Sequence, residues 1–209
     1  VALESGFRLD LHLHTSRFSP CAEMSPQEAL EAARAAGLDG VVITDHNRNW
    51  PQADLNRLSR DSGLVVLGGI EVTTTGGDIL AYGPCPDFER IPSPEELAQA
   101  APEAFLAAAH PFRGFLLFGF GELDLDEAAN RTPFHLVQGV EVANIKVTPQ
   151  ENALAARVAD KLGLVKIGGS DAHLSREVGL SRSVFEDRIT SQAELVAALR
   201  AGRLRVETA

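Results

Sequence analysis

The chain has 209 residues, 44% of them apolar, and a formal charge of −10 from 29 acids and 19 bases. That length fits one domain over 1–209 with enough apolar material for a core, and the acidic balance argues against unaided nucleic-acid binding, which needs a positive field facing the phosphates. No apolar run is long enough to span a membrane, the first residues lack signal-peptide character, and two distant cysteines, Cys21 and Cys85, form no disulfide framework, so a reducing cytoplasm is expected.

The first predicted element is a strand in "RLDLHLH". Leu9, Leu11 and Leu13 fall on one parity and Asp10, His12 and His14 on the other, so a strand aims both imidazoles to one side. "SPQEALEAARAAG" then reads as a helix, with Ser25 as N-cap, Pro26 at the first position, Glu28 completing a capping box and Gly37 as C-cap. Short apolar strands follow at Gly40 to His46, Leu64 to Val72 and Asp78 to Gly83, and a second helix begins at Ser93. Strands are expected again at Phe105 to Pro111 and Gly139 to Asn144. The helix of Thr148, Pro149, Glu151 and Gly163 repeats the first design, Leu164 to His173 supplies the last strand, and "TSQAELVAALRAG" closes the chain as a helix. Seven strands, most joined by crossovers, predict an α/β protein with a parallel sheet. An open doubly wound sheet is the alternative; the placement of polar residues favours a barrel.

That placement is positional. His12 and His14 end the first strand, Asp45 and His46 the second, and Glu71 the third. Asp78 begins the next strand, while His110, Glu141, Asp171 and His173 lie at or past the ends of later ones. In α/β barrels such ends ring one mouth. Five of the six histidines fall at this level, more than helix caps or satisfied core residues explain; His135 is assigned no metal role. Imidazoles and carboxylates without a zinc-finger cysteine pair suit Zn, Mn or Fe in a catalytic site, and their number calls for two or three divalent ions. His12 and His14 are read as ligands of one ion, with Asp10 as an outer partner to an imidazole N–H.

The ordered motifs "DLHLHT", "TDHN", "GIEVT", "AHPFR", "GVEVAN" and "SDAH" resemble the PHP domain (polymerase and histidinol phosphatase), a family of metal-dependent phosphoesterases, over nearly the whole chain. The resemblance implies a distorted seven-stranded (βα)7 barrel and three metal positions. His12, His14, Glu71 and Asp171 would hold the first ion. Glu71 would bridge to a second, bound also by His110 and by Asp78, where many relatives carry His. His46 and His173 would hold a third with Cys21, where relatives place Asp or His; Glu23 is the substitute. Cys85 reads as a loop residue, and Glu141 as either an orienting partner or a barrel ion pair.

Arginine's planar fork suits phosphate oxygens. Arg113, three residues after His110, is the first expected phosphate contact and Arg176, three after His173, the second; Arg17 and Lys146 follow. The expected activity is a metal-dependent phosphatase on a small phosphomonoester, nucleotide or histidinol-phosphate-like. A metal-bridging hydroxide would attack, and His46, His173 or a metal-bound water would protonate the leaving group with Asp45 assisting. The rivals are a 3′–5′ exonuclease or phosphodiesterase, an amidohydrolase, and a non-catalytic metal-binding scaffold. Specificity is expected in "TDHNRNWPQAD" and in Phe112 to Phe134, as a lid or apolar shelf or else as core packing or a subunit contact.

Overall fold

The computed structural model describes residues 6–114 and 124–209. The first half contains β1 (Phe7–Leu13), α1 (Pro26–Ala35), β2 (Gly40–Ile43), α2 (Gln52–Ser62), β3 (Val65–Gly68), β4 (Ile70–Thr74), β5 (Gly77–Tyr82) and α3 (Pro94–Ala100). The second half contains β6 (Phe105–Ala108), α4 (Leu125–Ala129), β7 (Gly139–Ala143), α5 (Pro149–Leu162), β8 (Val165–Gly168), β9 (Ser181–Phe185), α6 (Gln192–Ala201) and β10 (Leu204–Thr208). Three helices start on capping boxes, Ser25 with Glu28 and Thr148 with Glu151 as expected and Ser93 with Glu96 besides, each carrying Pro in its first turn. In each box the hydroxyl satisfies one orphan N–H and the glutamate returns to the cap's own N–H. α1 closes on Ala36 with left-handed Gly37 after it, and α5 closes on left-handed Gly163.

The α/β class holds, but the strands do not close into one seven-stranded barrel. The described residues form ten strands in two five-stranded sheets, in the orders β10-β9-β1-β2-β3 and β4-β5-β6-β7-β8. Nor are the sheets parallel throughout. β1–β2, β2–β3, β6–β7 and β7–β8 pair parallel, whereas β1–β9, β9–β10, β4–β5 and β5–β6 pair antiparallel.

Three local causes account for the difference. The expected strand Leu64 to Val72 breaks at Gly69, where a Cβ would lie 3.0 Å from Thr44 Cγ2 and 3.2 Å from Tyr82 Cδ1. The tight turn from Thr74 to Gly77 folds β5 back on β4 as a hairpin, which forces an antiparallel pair. β9 occupies the other edge of β1 only at Phe7 to Leu9, leaving the rest of β1 to face the second sheet. The sheets then meet through isolated bridges, His46 with Glu71 and Leu13 with Ala172.

Leu9 and Leu11 of β1 are fully buried with Val42, Leu80, Tyr82, Phe105, Ile167 and Phe185 in a core shared by both sheets. Each such side chain contributes about 1.5–3 kcal/mol of burial. The alternate face of β1 is buried too, and there it carries Asp10 and His12. α2 lies in part of the segment read as a specificity loop. Of the expected lid, residues 115–123 lie outside the described residues; Phe112 and Phe134 are core residues with ring centroids 5.8 Å apart. No helix among the described residues is long and apolar enough to cross a membrane.

Candidate metal centre

His12 and His14 leave β1 on the face opposite its leucines, as the alternation requires. Each has its Nδ1 occupied away from the centre. His12 Nδ1 lies 2.9 Å from Glu141 Oε1, a group that only accepts. His14 Nδ1 lies 3.3 Å from Ser19 Oγ, whose own proton goes to Asp45 Oδ1 at 2.7 Å. Both rings therefore turn their Nε2 inward, and the two Nε2 atoms stand 3.1 Å apart. Two inward nitrogens at that distance must share a proton or face a cation between or beside them.

Carboxylates complete the centre. His14 Nε2 is 3.1 Å from Glu71 Oε2 and 3.3 Å from Asp171 Oδ1; His12 Nε2 is 3.4 Å and 3.6 Å from the same oxygens. His110 Nε2 reaches Glu71 Oε1 at 3.0 Å. His46 Nδ1 lies 3.1 Å from Glu71 Oε2 but off the line of a hydrogen bond, so it is a buried nitrogen with no hydrogen-bond partner. An orphaned buried nitrogen aimed at a carboxylate fits a metal ligand. Three groups have donor atoms mutually within 4.8 Å: His12, His14 and Asp171; His12, Glu71 and His110; His14, His46 and His173. Seven residues singled out in the sequence are thus brought together.

The field inside is strongly anionic. Burial alone would push the His12 imidazole down, but Glu141, Glu71 and Asp171 outweigh it and hold the ring well above its ordinary value. His14 and His110 are raised against burial by their carboxylate partners. Burial would raise Glu71 and Asp171, yet His12 and the neighbouring imidazoles hold both carboxyls below their usual range. His46 and His173, nearer the mouth, are lowered by burial first and, among the other causes, by the charge on His14. A field that holds protons on inner imidazoles is one in which divalent ions displace them.

Backbone strain marks the same place. His110 and Asp171 have φ of 27° and 53°, and Asn47, beside His46, has 56°. Such conformations cost about 1–3 kcal/mol each and persist where surrounding bonds hold them. The Asp171 N–H donates to the His12 carbonyl at 2.7 Å, His110 N–H to Glu141 Oε2 at 2.9 Å, and Asn47 N–H to the Glu71 carbonyl at 2.9 Å.

Other expectations are placed differently. Asp10 does not meet an imidazole N–H; its carboxylate accepts from Ser170 Oγ and from the backbone N–H groups of Ser170, Gly179 and His12. Burial pushes it up to about 6 against those bonds. Asp45 already accepts four hydrogen bonds, from Thr15 N–H and hydroxyl, Ser19 and the Trp50 indole. Its place is behind His14.

Cys21 is exposed and Asp78 half-buried, and neither joins the groups formed by the described residues. Asp78 pairs across from Thr73, whereas the residue across from Glu71 is Leu80. Glu23 docks by its backbone N–H on the His173 carbonyl. His135 is exposed in a 3₁₀ turn.

Among the cations, Arg113 reaches Asp171 Oδ2 at 3.4 Å with half its side chain exposed. Arg176 is exposed in the 3₁₀ turn after His173. Arg17 pairs with Asp54 at 2.8 Å and lies over the Trp50 and Phe18 rings, and Lys146 pairs with Glu177. A cleft of about 280 Å³ adjoins the centre, lined by Gly76, Gly77, Asp78, His110, Arg113 and Arg131 among others.

Ser19 and Asn144 were not singled out in the sequence. Ser19 lies five residues after His14, with no motif to mark it. Asn144 closes "GVEVAN" and donates to Glu141 Oε2 at 2.9 Å.

A family model described as PHP domain matches residues 10–157, and one described as PHP-associated matches 149–204. An uncharacterized protein of Methanocaldococcus jannaschii is 30% identical over 117 residues, covering 50% of this chain and 68% of its own. A two-domain protein from Bacteroides vulgatus, described as containing a predicted PHP-like metal-dependent phosphoesterase, superposes with TM-score 0.73 at 19% identity over 100% of this chain and 67% of its own. A structure described as a putative metal-dependent phosphoesterase from Bifidobacterium adolescentis gives TM-score 0.66 at 18% identity, covering 95% of this chain and 97% of its own.

Proposed function

The chain belongs to the PHP domain family, and from that premise we propose that it is a metal-dependent phosphoesterase, more narrowly a phosphatase of small phosphomonoesters such as nucleotides or histidinol-phosphate-like compounds. The observation that carries the reading is the inward pair of His12 and His14 Nε2 atoms, 3.1 Å apart and faced by Glu71 and Asp171. His12, His14, Glu71 and Asp171 would hold one ion, Glu71 with His110 a second, and His46 with His173 a third. Asp78, in the cleft beside His110, is the further donor proposed on that side. This imidazole and carboxylate set suits Mn, Zn or Fe. Bound there, divalent ions supply Lewis acidity toward phosphoryl oxygens and bring a water to ionise near neutral pH.

The chain's own groups do the rest. Arg113 stands at the rim with half its guanidinium in solvent, placed to take a phosphoryl oxygen and orient the ester. Arg176 is the second candidate, on the exposed turn after His173. The partly exposed imidazoles of His46 and His173 are the groups placed to hold or pass a proton at the leaving oxygen. Asp45 keeps its assisting role only through Ser19 and His14, since its oxygens are taken. A cleft of about 280 Å³ suits a small leaving group.

Elemental analysis of the purified protein, paired with phosphate release from nucleotides, histidinol phosphate and an aryl phosphate, tests this. Two or more ions per chain and chelator-sensitive release are expected. Bound ions with no release from any ester would remove the phosphatase, and a chain that takes up no ion would remove the metal centre.

A further inference from the structure

Glu141 is buried in β7 and belongs to none of the three ligand groups formed by the described residues. Yet it touches more of the centre than any ligand needs to. Its Oε1 faces His12 Nδ1 at 2.9 Å, and its Oε2 accepts the His110 backbone N–H and the Asn144 amide, each at 2.9 Å. One carboxylate thus holds one metal-facing histidine by its ring and another by its strained backbone. Because a carboxylate only accepts, His12 must present Nδ1–H to it, which leaves Nε2, beside Glu71 and Asp171, as the nitrogen an ion would take.

Gly169 supplies a separate observation. A Cβ there would lie 2.4 Å from His12 Cβ, 2.7 Å from His12 N and 3.1 Å from Glu141 Oε1. Its φ is not in the left-handed region, so space rather than backbone freedom requires glycine. The first glycine after β8 is the clearance that lets the His12–Glu141 pair close.

We infer that Glu141 is a positioning residue for the metal centre, fixing the tautomer of His12 and the seat of His110, with Gly169 as the clearance for that contact. The inference rests on the reading of the cluster as a metal centre. Glutamine cannot replace Glu141. Three donors converge on two oxygens, and an NH2 group would face either His12 Nδ1–H or the His110 and Asn144 donors.

The test is a Zn2+ titration against a competing chelator on the wild type, Glu141→Gln and Gly169→Ala, with imidazole nitrogen NMR of the zinc-loaded proteins. Circular dichroism of the metal-free proteins monitors the fold. Both variants should bind zinc ~10–100-fold more weakly, and wild-type His12 should carry its proton on Nδ1 with zinc on Nε2. In Glu141→Gln that ring signature should change while the fold does not. A variant destabilised only in its fold would melt lower and keep the wild-type His12 signature, which overturns the inference. So does zinc affinity in both variants within about twofold of wild type. Wild-type His12 metallated on Nδ1 overturns it too, whether or not either variant folds. Wild type that takes up no zinc removes the proposed metal centre, and this role with it; wild type that binds while the variants match it removes this role alone.

Discussion

At the scale of single residues, the centre is built from nitrogens whose outward side is already engaged. Glu141 holds His12 from behind, the Asp171 carbonyl faces His173 Nδ1 at 2.9 Å, and Asp45 acts on His14 through Ser19. Asp171→Asn should remove at least one ion per chain and lower phosphate release ~100-fold or more, because a ligand counts for more than its outer partners. Metal analysis beside initial rates checks this. Ser19→Ala should weaken metal binding ~10-fold. Trp50, the chain's one tryptophan, donates to the same Asp45, so its fluorescence follows the titration.

The two cysteines should separate cleanly. Burial raises both thiols, and with Asp87 it pushes Cys85 up to about 12; Cys21 is the exposed one of the two. A raised pKa means less thiolate at any working pH, so iodoacetamide at neutral pH should label Cys21 and spare Cys85, as peptide mass spectrometry would read. Labelling of Cys85 first would contradict the burial. The seven clustered candidate ligands were legible in the sequence because alternation and strand ends fix where they point, whereas Cys21 and Asp78 do not join them. The roles of Asp10 and Asp45 were not, since a buried carboxylate takes whichever donors tertiary packing brings, and Ser170 lies 160 residues from Asp10.

At the scale of elements, the capping boxes read directly from sequence because they are local chemistry. Thr148→Ala removes the acceptor for Glu151 N–H, 3.2 Å away, and loosens the return bond at 2.9 Å. It should cost about 1 kcal/mol, a melting shift of about 2–4 °C downward for a chain of this size. The α3 box adds a pH signature. Arg90 and the Ser93 N–H hold Glu96 down to about 2 from an ordinary 4.5, so its contribution is complete above the ordinary value and is lost as pH falls toward 2. β9 and β10 were missed for the opposite reason. "SRSVF" has little alternation of its own, and "LRVET" alternates over only five residues; tertiary pairing with β1 and with each other decides them. Which partner a strand takes along its length, as β1 shows, is not a local property either.

For the whole molecule, the candidate ligands come from both sheets. His12, His14 and His46 belong to the sheet of β1 and β2; Glu71, His110, Asp171 and His173 sit on or beside β4, β6 and β8 of the other. An ion held by His12, His14, Glu71 and Asp171, as proposed, would draw on both sheets and stabilise the folded state by mass action. At a hundred times its dissociation constant that is about 2.7 kcal/mol, or about 5–10 °C in melting temperature at this chain length. Thermal melts with chelator and with Mn2+ or Zn2+ should differ by that much. Equal melts would mean that no ion binds the folded chain in preference to the unfolded one.

The seams between the sheets give this arrangement a temporal side. Where His46 meets Glu71 and Leu13 meets Ala172, single bridges stand in place of a continuous ladder. Each bridge lies within one residue of candidate ligand side chains, so a short stretch of backbone pairing adjoins the buried imidazoles and carboxylates. An ion held across this seam, as proposed, should then leave at a rate set by local opening at these two bridges, which metal-exchange kinetics would read.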